Sequence, residues 1–143
     1  MMRTLLTLSA VLLFAGTALA EDEHYDGSDP LLCTVMNARQ CDINGCELMD
    51  DAALGARKFM RVDFKDKRLT TTAFADVTLA TAIDSITRKD NRLILQGIDE
   101  ASVEAEDAKA WTLLIADPTG MMTMTVAGEE FATVALGACT PVE

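Results

Sequence analysis

The 143-residue chain carries 12 basic against 23 acidic side chains, and half of its residues are hydrophobic. These numbers predict one domain with a packed core and argue against wholesale disorder. The net charge of −11 argues against nucleic acid, whose phosphates attract Lys and Arg, and against docking on anionic lipid. A single histidine excludes chemistry that needs two or three of them.

Residues 1–20 have the pattern of a secretory signal peptide. Arg3 precedes an uncharged apolar stretch, and Ala-Leu-Ala at 18–20 is a small-x-small cleavage site. The alternative is a retained membrane anchor, but the uncharged stretch 4–20 is short for a span and ends in the cleavage site. We therefore predict an exported protein, periplasmic or extracellular, with no membrane span after cleavage.

After cleavage, polar and acidic residues 21–30 predict a flexible tail, and 31–143 form the predicted single domain. The domain consists of short strand-like runs between turn signals, with a loop and one helical turn at 50–56. Stretch 77–88 is ambiguous, because helical spacing competes with β-branched residues, and we favour a strand over its second half. The predicted strands are 31–40, 46–49, 58–64, 68–75, 82–87, 92–98, 111–116, 121–127 and 131–136. This order predicts an all-β fold, a small antiparallel meander barrel or sandwich of about eight strands.

The cysteines are Cys33, Cys41, Cys46 and Cys139, and an even number in an exported chain predicts two disulfides. Three pairings are possible. We favour Cys41–Cys46, because these residues flank a four-residue loop that contains Asn-Gly, a strong turn signal. Cys33 then pairs with Cys139 and joins the first strand to the last. The C-x4-C spacing does not match a zinc ribbon.

The C-terminal third carries the most specific pattern, with Ala-Trp-Thr-Leu-Leu-Ile at 110–115, Thr-Gly-Met-Met-Thr-Met-Thr at 119–125 and Gly-Ala-Cys-Thr-Pro at 137–141. Together with the signal peptide and Leu-Leu-Cys at 31–33, this pattern resembles a group of small exported bacterial proteins of unknown function. The resemblance implies an envelope location and a β-rich fold, and no activity. A looser similarity is to the acidic, disulfide-stapled lysozyme inhibitors of the periplasm, although the chain lacks their Ser-Gly-x-x-Tyr segment.

Methionine and histidine offer candidate copper ligands. Thioethers suit Cu(I), but alternation along a strand sends Met121 to one face and Met122 and Met124 to the other, where we expect them to fill the core. His24 lies in the predicted tail, where cleavage after Ala20 leaves it fourth rather than third from the free amine. We therefore expect no bound copper.

An oxygen-rich cluster near the first turn is the candidate calcium site. Its sequence begins like a calcium-binding loop, but positions 46–48 break the pattern, which favours a solvated turn. The cluster consists of Asp42, Asn44, Glu47, Asp50 and Asp51.

No catalytic set stands out. Ser28, Ser85 and Ser102 lie outside any G-x-S-x-G motif, and a pair of carboxylates among so many is expected by chance. Trp111, the single tryptophan, either fills the core or floors a ligand cavity. We predict a monomeric, non-enzymatic binding protein of the bacterial envelope without a cofactor. Its partner would be a cationic protein or a small apolar ligand, and the alternative is a calcium- or copper-binding protein.

Overall fold

A computed structural model of the protein describes residues 25–71, 79–99 and 108–142. The predicted signal peptide, positions 21–24 of the predicted tail and positions 72–75 of the fourth predicted strand lie outside the described residues. Within the described ranges, no helix is both long and apolar enough to cross a membrane.

Strands make up most of the described chain. A single helical turn, α1 (Asp51–Leu54), and a 3-10 turn (Gly55–Lys58) follow the second strand, as the sequence predicted for this loop. In the described part of the ambiguous stretch 77–88, two short strands separated by Ile83 and Asp84 replace the single strand predicted over 82–87, and positions 77–78 lie outside the described residues. The strands are β1 (Leu31–Asp42), β2 (Gly45–Leu48), β3 (Phe59–Asp63), β4 (Arg68–Thr71), β5 (Ala80–Ala82), β6 (Ser85–Lys89), β7 (Arg92–Asp99), β8 (Lys109–Ala116), β9 (Met121–Ala127) and β10 (Ala132–Pro141).

All ten strands belong to one curled antiparallel sheet in the order β5-β4-β3-β1-β10-β9-β8-β7-β6, with β2 paired to β1. The two edge strands, β5 and β6, follow each other in the chain. Between them, the Ile83 amide donates to Lys67 O beside β4, and the Asp84 amide donates to Gln96 O on β7. The predicted all-β, antiparallel class is therefore confirmed, as a barrel-like curled sheet.

The long strand β1 contains a β-bulge that preserves its buried face. Its pairing with β10 shifts register between Val35 and Asn37, so that Met36 is an extra residue and points to solvent. Before the bulge, the odd-numbered Cys33 and Val35 are buried, whereas after it the even-numbered Ala38 is buried. Without the bulge, strict alternation over 31–40 would have turned the side chains of the second half of the strand to the opposite face.

Large side chains fill one end of the curled sheet. We call this the filled end, and it contains Tyr25, Leu31, Phe64, Leu93 and Ile115. Tyr25 is only 3% exposed, and its hydroxyl donates to Cys139 O at 3.0 Å. The polar character of residues 21–30 did not predict that Tyr25 is buried.

The two disulfides have the predicted pairing. Cys33–Cys139 links directly opposed residues of β1 and β10, and Cys41–Cys46 closes the β1–β2 hairpin. Disulfides persist in oxidising compartments. The pairing therefore fits a protein that folds outside the reducing cytoplasm.

The pairing predicts unequal effects of removing each bridge. Chain entropy assigns about 4–5 kcal/mol to Cys33–Cys139 and about 2 kcal/mol to Cys41–Cys46, because the residues are 106 and 5 positions apart in sequence. Urea unfolding should therefore show a larger loss of unfolding free energy for Cys33→Ala/Cys139→Ala than for Cys41→Ala/Cys46→Ala. Equal losses would contradict this entropic account.

Trp111 packs where the sheet edges approach each other. Its indole lies against Gly97, the residue opposite it on β7, and its Nε1 donates to Thr81 Oγ1 at 3.4 Å. Thr81 Oγ1 in turn donates to Ile98 O at 3.0 Å, which ties β5 to β7. A Cβ atom at Gly97 would lie 2.6 Å from Trp111 Cζ2 and would also collide with Ala82 O. Only glycine leaves room for this contact.

Gly97→Ala should therefore lower the unfolding free energy by about 1–3 kcal/mol, because the indole and β5 must shift to accept the methyl group. Gly128→Ala is the matched control, since a Cβ atom there would make only ordinary contacts of 3.5–3.7 Å. Urea unfolding measures both. Equal unfolding free energies of the two variants would show that β5 shifts to accept the methyl group with little loss of stability.

Candidate functional site

A cavity of about 190 Å³ opens at the end of the sheet opposite the filled end. It is enclosed by the middle of β1, the first halves of β3, β8 and β10, the second half of β9, parts of β4 and β5, the end of β7 and the turns after β2. Most of its lining is apolar. The apolar lining residues are Val35, Ala38, Met49, Leu54, Met60, Leu69, Leu79, Ala80, Trp111, Met124, Val126, Phe131 and Ala135.

The cavity exists because small side chains face each other across the central strand pair. Ala38 on β1 and Ala135 on β10 are opposed in the register, and both are buried and line the cavity. An apolar cavity of about 150 Å³ can stay dry and hold benzene. A space of about 190 Å³ with this lining therefore suits a small apolar ligand or the apolar part of a larger one.

Trp111 is both a core residue and part of the cavity wall. It is 3% exposed, and its indole is held by Gly97 and Thr81 as described above. The two explanations that the sequence offered are therefore compatible in this fold. A role for Trp111 in ligand binding stays a prediction.

The polar lining residues of the cavity are exposed or half-buried, and we call them its mouth. They are Gln40, Arg57, Thr71, Thr81, Asp99, Lys109 and Thr133. Asp99 and Lys109 are opposed in the β7–β8 register, and Lys109 Nζ lies 5.7 Å from the centre of the Phe131 ring. The sequence analysis identified none of these residues. Apart from Arg57 in the 3-10 turn, these residues lie on strands, and their approach to one cavity follows only from the strand register.

The acidic cluster near the first turn stabilises local structure. Asp42 Oδ1 accepts hydrogen bonds from the amides of Asn44 at 2.7 Å and Gly45 at 3.2 Å. The backbone and side-chain hydrogen bonds from Asn44, together with the Gly45 amide, lower the pKa of Asp42 below its ordinary value. Asp50 caps α1 through the Ala53 amide, and Asp51 forms an ion pair with Lys58 at 2.8 Å.

The described residues do not bring together a metal-binding set. They contain no group of three or more His, Cys, Asp or Glu side chains placed to hold an ion. Met122 is buried and Met124 lines the cavity, whereas Met121 is exposed on the opposite face, as alternation predicted. His24 lies outside the described residues.

The two described serines bond to neighbouring side chains and not to a histidine. Ser28 Oγ donates to Asp26 Oδ1 at 2.5 Å, and Ser85 Oγ donates to Gln96 Oε1 at 3.2 Å. Ser102 lies outside the described residues. Both bonds are exposed and local, which is typical of side chains that order turns and strands.

No protein-family model matches the chain, and no curated protein shows significant similarity to it.

Proposed function

We propose that this is an exported, non-enzymatic binding protein of the bacterial envelope that takes a small apolar ligand into the cavity beside Trp111. The apolar cavity of about 190 Å³ carries the proposal. Ligand sites are typically concave and apolar, with a few polar groups that orient the ligand, and this is the arrangement of the lining and the mouth. The signal-peptide pattern and the two disulfides support export to the periplasm or beyond.

The energetic basis of the proposal is the removal of apolar surface from water. Each buried methylene contributes about 0.8 kcal/mol, so a ligand with six to eight carbons gains several kcal/mol before the cost of association. The wall is also largely preformed, because strands on all sides hold the lining side chains. Binding then costs little free energy for ordering the lining side chains.

The proposal predicts saturable binding of 1-octanol, measured through the emission of Trp111, the single tryptophan, and by calorimetry. Ala135→Leu should lower the affinity at least tenfold, because the added carbons occupy the cavity. Ala132→Leu is the control, since Ala132 lies on the same strand but is exposed. Absence of saturable binding, or equal affinity of both variants, would rule out the cavity as the site.

One exposed feature favours a second candidate function, the binding of a cationic protein. The β1–β2 hairpin is closed by Cys41–Cys46, and Ile43 at its tip is 98% exposed. The charged side chains from 42 to 51 are all carboxylates. An apolar side chain that a disulfide-closed hairpin presents among carboxylates is complementary to a basic partner with an apolar depression on its surface.

This candidate predicts that the protein inhibits a basic peptidoglycan hydrolase and that Ile43→Ser weakens the inhibition at least tenfold. Leu136→Ser is the control, because Leu136 is also exposed but lies on the outer face of β10. Steady-state assays across a panel of basic hydrolases measure the effect. Lack of inhibition, or equal inhibition by both variants, would remove this candidate.

A further inference from the structure

We propose that the ligand of the cavity is an amphipathic carboxylate with a chain of roughly six to eight carbons, a length scaled from the benzene-sized cavity of about 150 Å³. Its chain would lie against Trp111, and its carboxylate would sit at the mouth between Arg57 and Lys109. The inference rests on the proposed function above and adds the charge of the ligand and the residues that recognise it.

Basic side chains outnumber acidic ones in the described lining of the cavity. The lining contains two basic side chains, Arg57 and Lys109, and one acidic side chain, Asp99. This local excess of positive charge occurs in a chain with only 12 basic residues and a net charge of −11. Among the described residues, the charged side chains of the lining therefore have a net sign opposite to that of the protein as a whole.

Both basic groups also lie outside the ion pairs of the described residues. In the described parts of the chain, the ion pairs are Lys58–Asp51 and Arg88–Asp117, so neither Arg57 nor Lys109 takes part in one. Lys58 and Arg57 are neighbours in the 3-10 turn, but Lys58 pairs with Asp51 whereas Arg57 lines the cavity. The guanidinium of Arg57 can bind a carboxylate through two parallel hydrogen bonds.

The exposure of the basic groups differs from that of the wall. Arg57 is exposed and Lys109 is half-buried, whereas the mostly apolar wall includes buried side chains such as Trp111. A ligand with its chain inside and its carboxylate at the mouth buries apolar surface without burying an unpaired charge. An amphipathic anion therefore matches both the apolar wall and the basic groups at the mouth.

The test compares octanoate, 1-octanol and octylammonium, which share a chain length and differ in head-group charge. Calorimetry at pH 7 should show at least tenfold tighter binding of octanoate than of 1-octanol, and the weakest binding for octylammonium. Arg57→Gln/Lys109→Gln should weaken octanoate about tenfold or more, because charge-assisted bonds are lost, and leave 1-octanol unchanged.

Lys58→Gln is the matched control and should not change octanoate affinity, because Lys58 pairs with Asp51. Arg57→Gln alone provides the readout if loss of Lys109 impairs folding, since Arg57 is exposed. Equal affinity for octanoate and 1-octanol, or tightest binding of octylammonium, would overturn this inference and leave the proposed function intact. Absence of binding by all three would overturn both.

Discussion

The pairing of β1 with β10 is the interaction on which the rest of the structure depends. These strands lie at the centre of the sheet, with β3, β4 and β5 on one side and the meander from β9 to β6 on the other. Cys33–Cys139 fixes this pairing covalently between the first and last strands. Because a slip of one residue would turn the side chains of a strand to the other face, the register of this pair determines which side chains of β1 and β10 face inward.

The same strand pair also determines where space is left inside. Toward one end it contributes Leu31 and the disulfide, and Tyr25 and Phe64 complete a filled core. Toward the other end it contributes the opposed Ala38 and Ala135, and the cavity opens there. The bulge at Met36 lies between the two regions and keeps both halves of β1 facing inward. A filled end and an end with a cavity therefore coexist in the same sheet.

The seam between the sheet edges couples the fold to the cavity. Trp111 contacts Gly97, donates a hydrogen bond to Thr81 and also lines the cavity. A ligand beside the indole would therefore lie next to the hydrogen bonds that hold β5 against β7. This arrangement gives a wall that is formed before binding, and it places the single tryptophan where its fluorescence reports on both packing and occupancy.

The sequence by itself determined the all-β class, the two disulfides, most strand positions and the inward faces of Met122 and Met124, because these follow from alternation, turn residues and the number of cysteines. It also identified Trp111 as a cavity candidate. Only the tertiary structure decided the burial of Tyr25, the bulge at Met36 and the placement of Arg57 and Lys109 in the lining of one cavity. These features depend on register and on contacts between residues far apart in sequence, which local patterns do not encode.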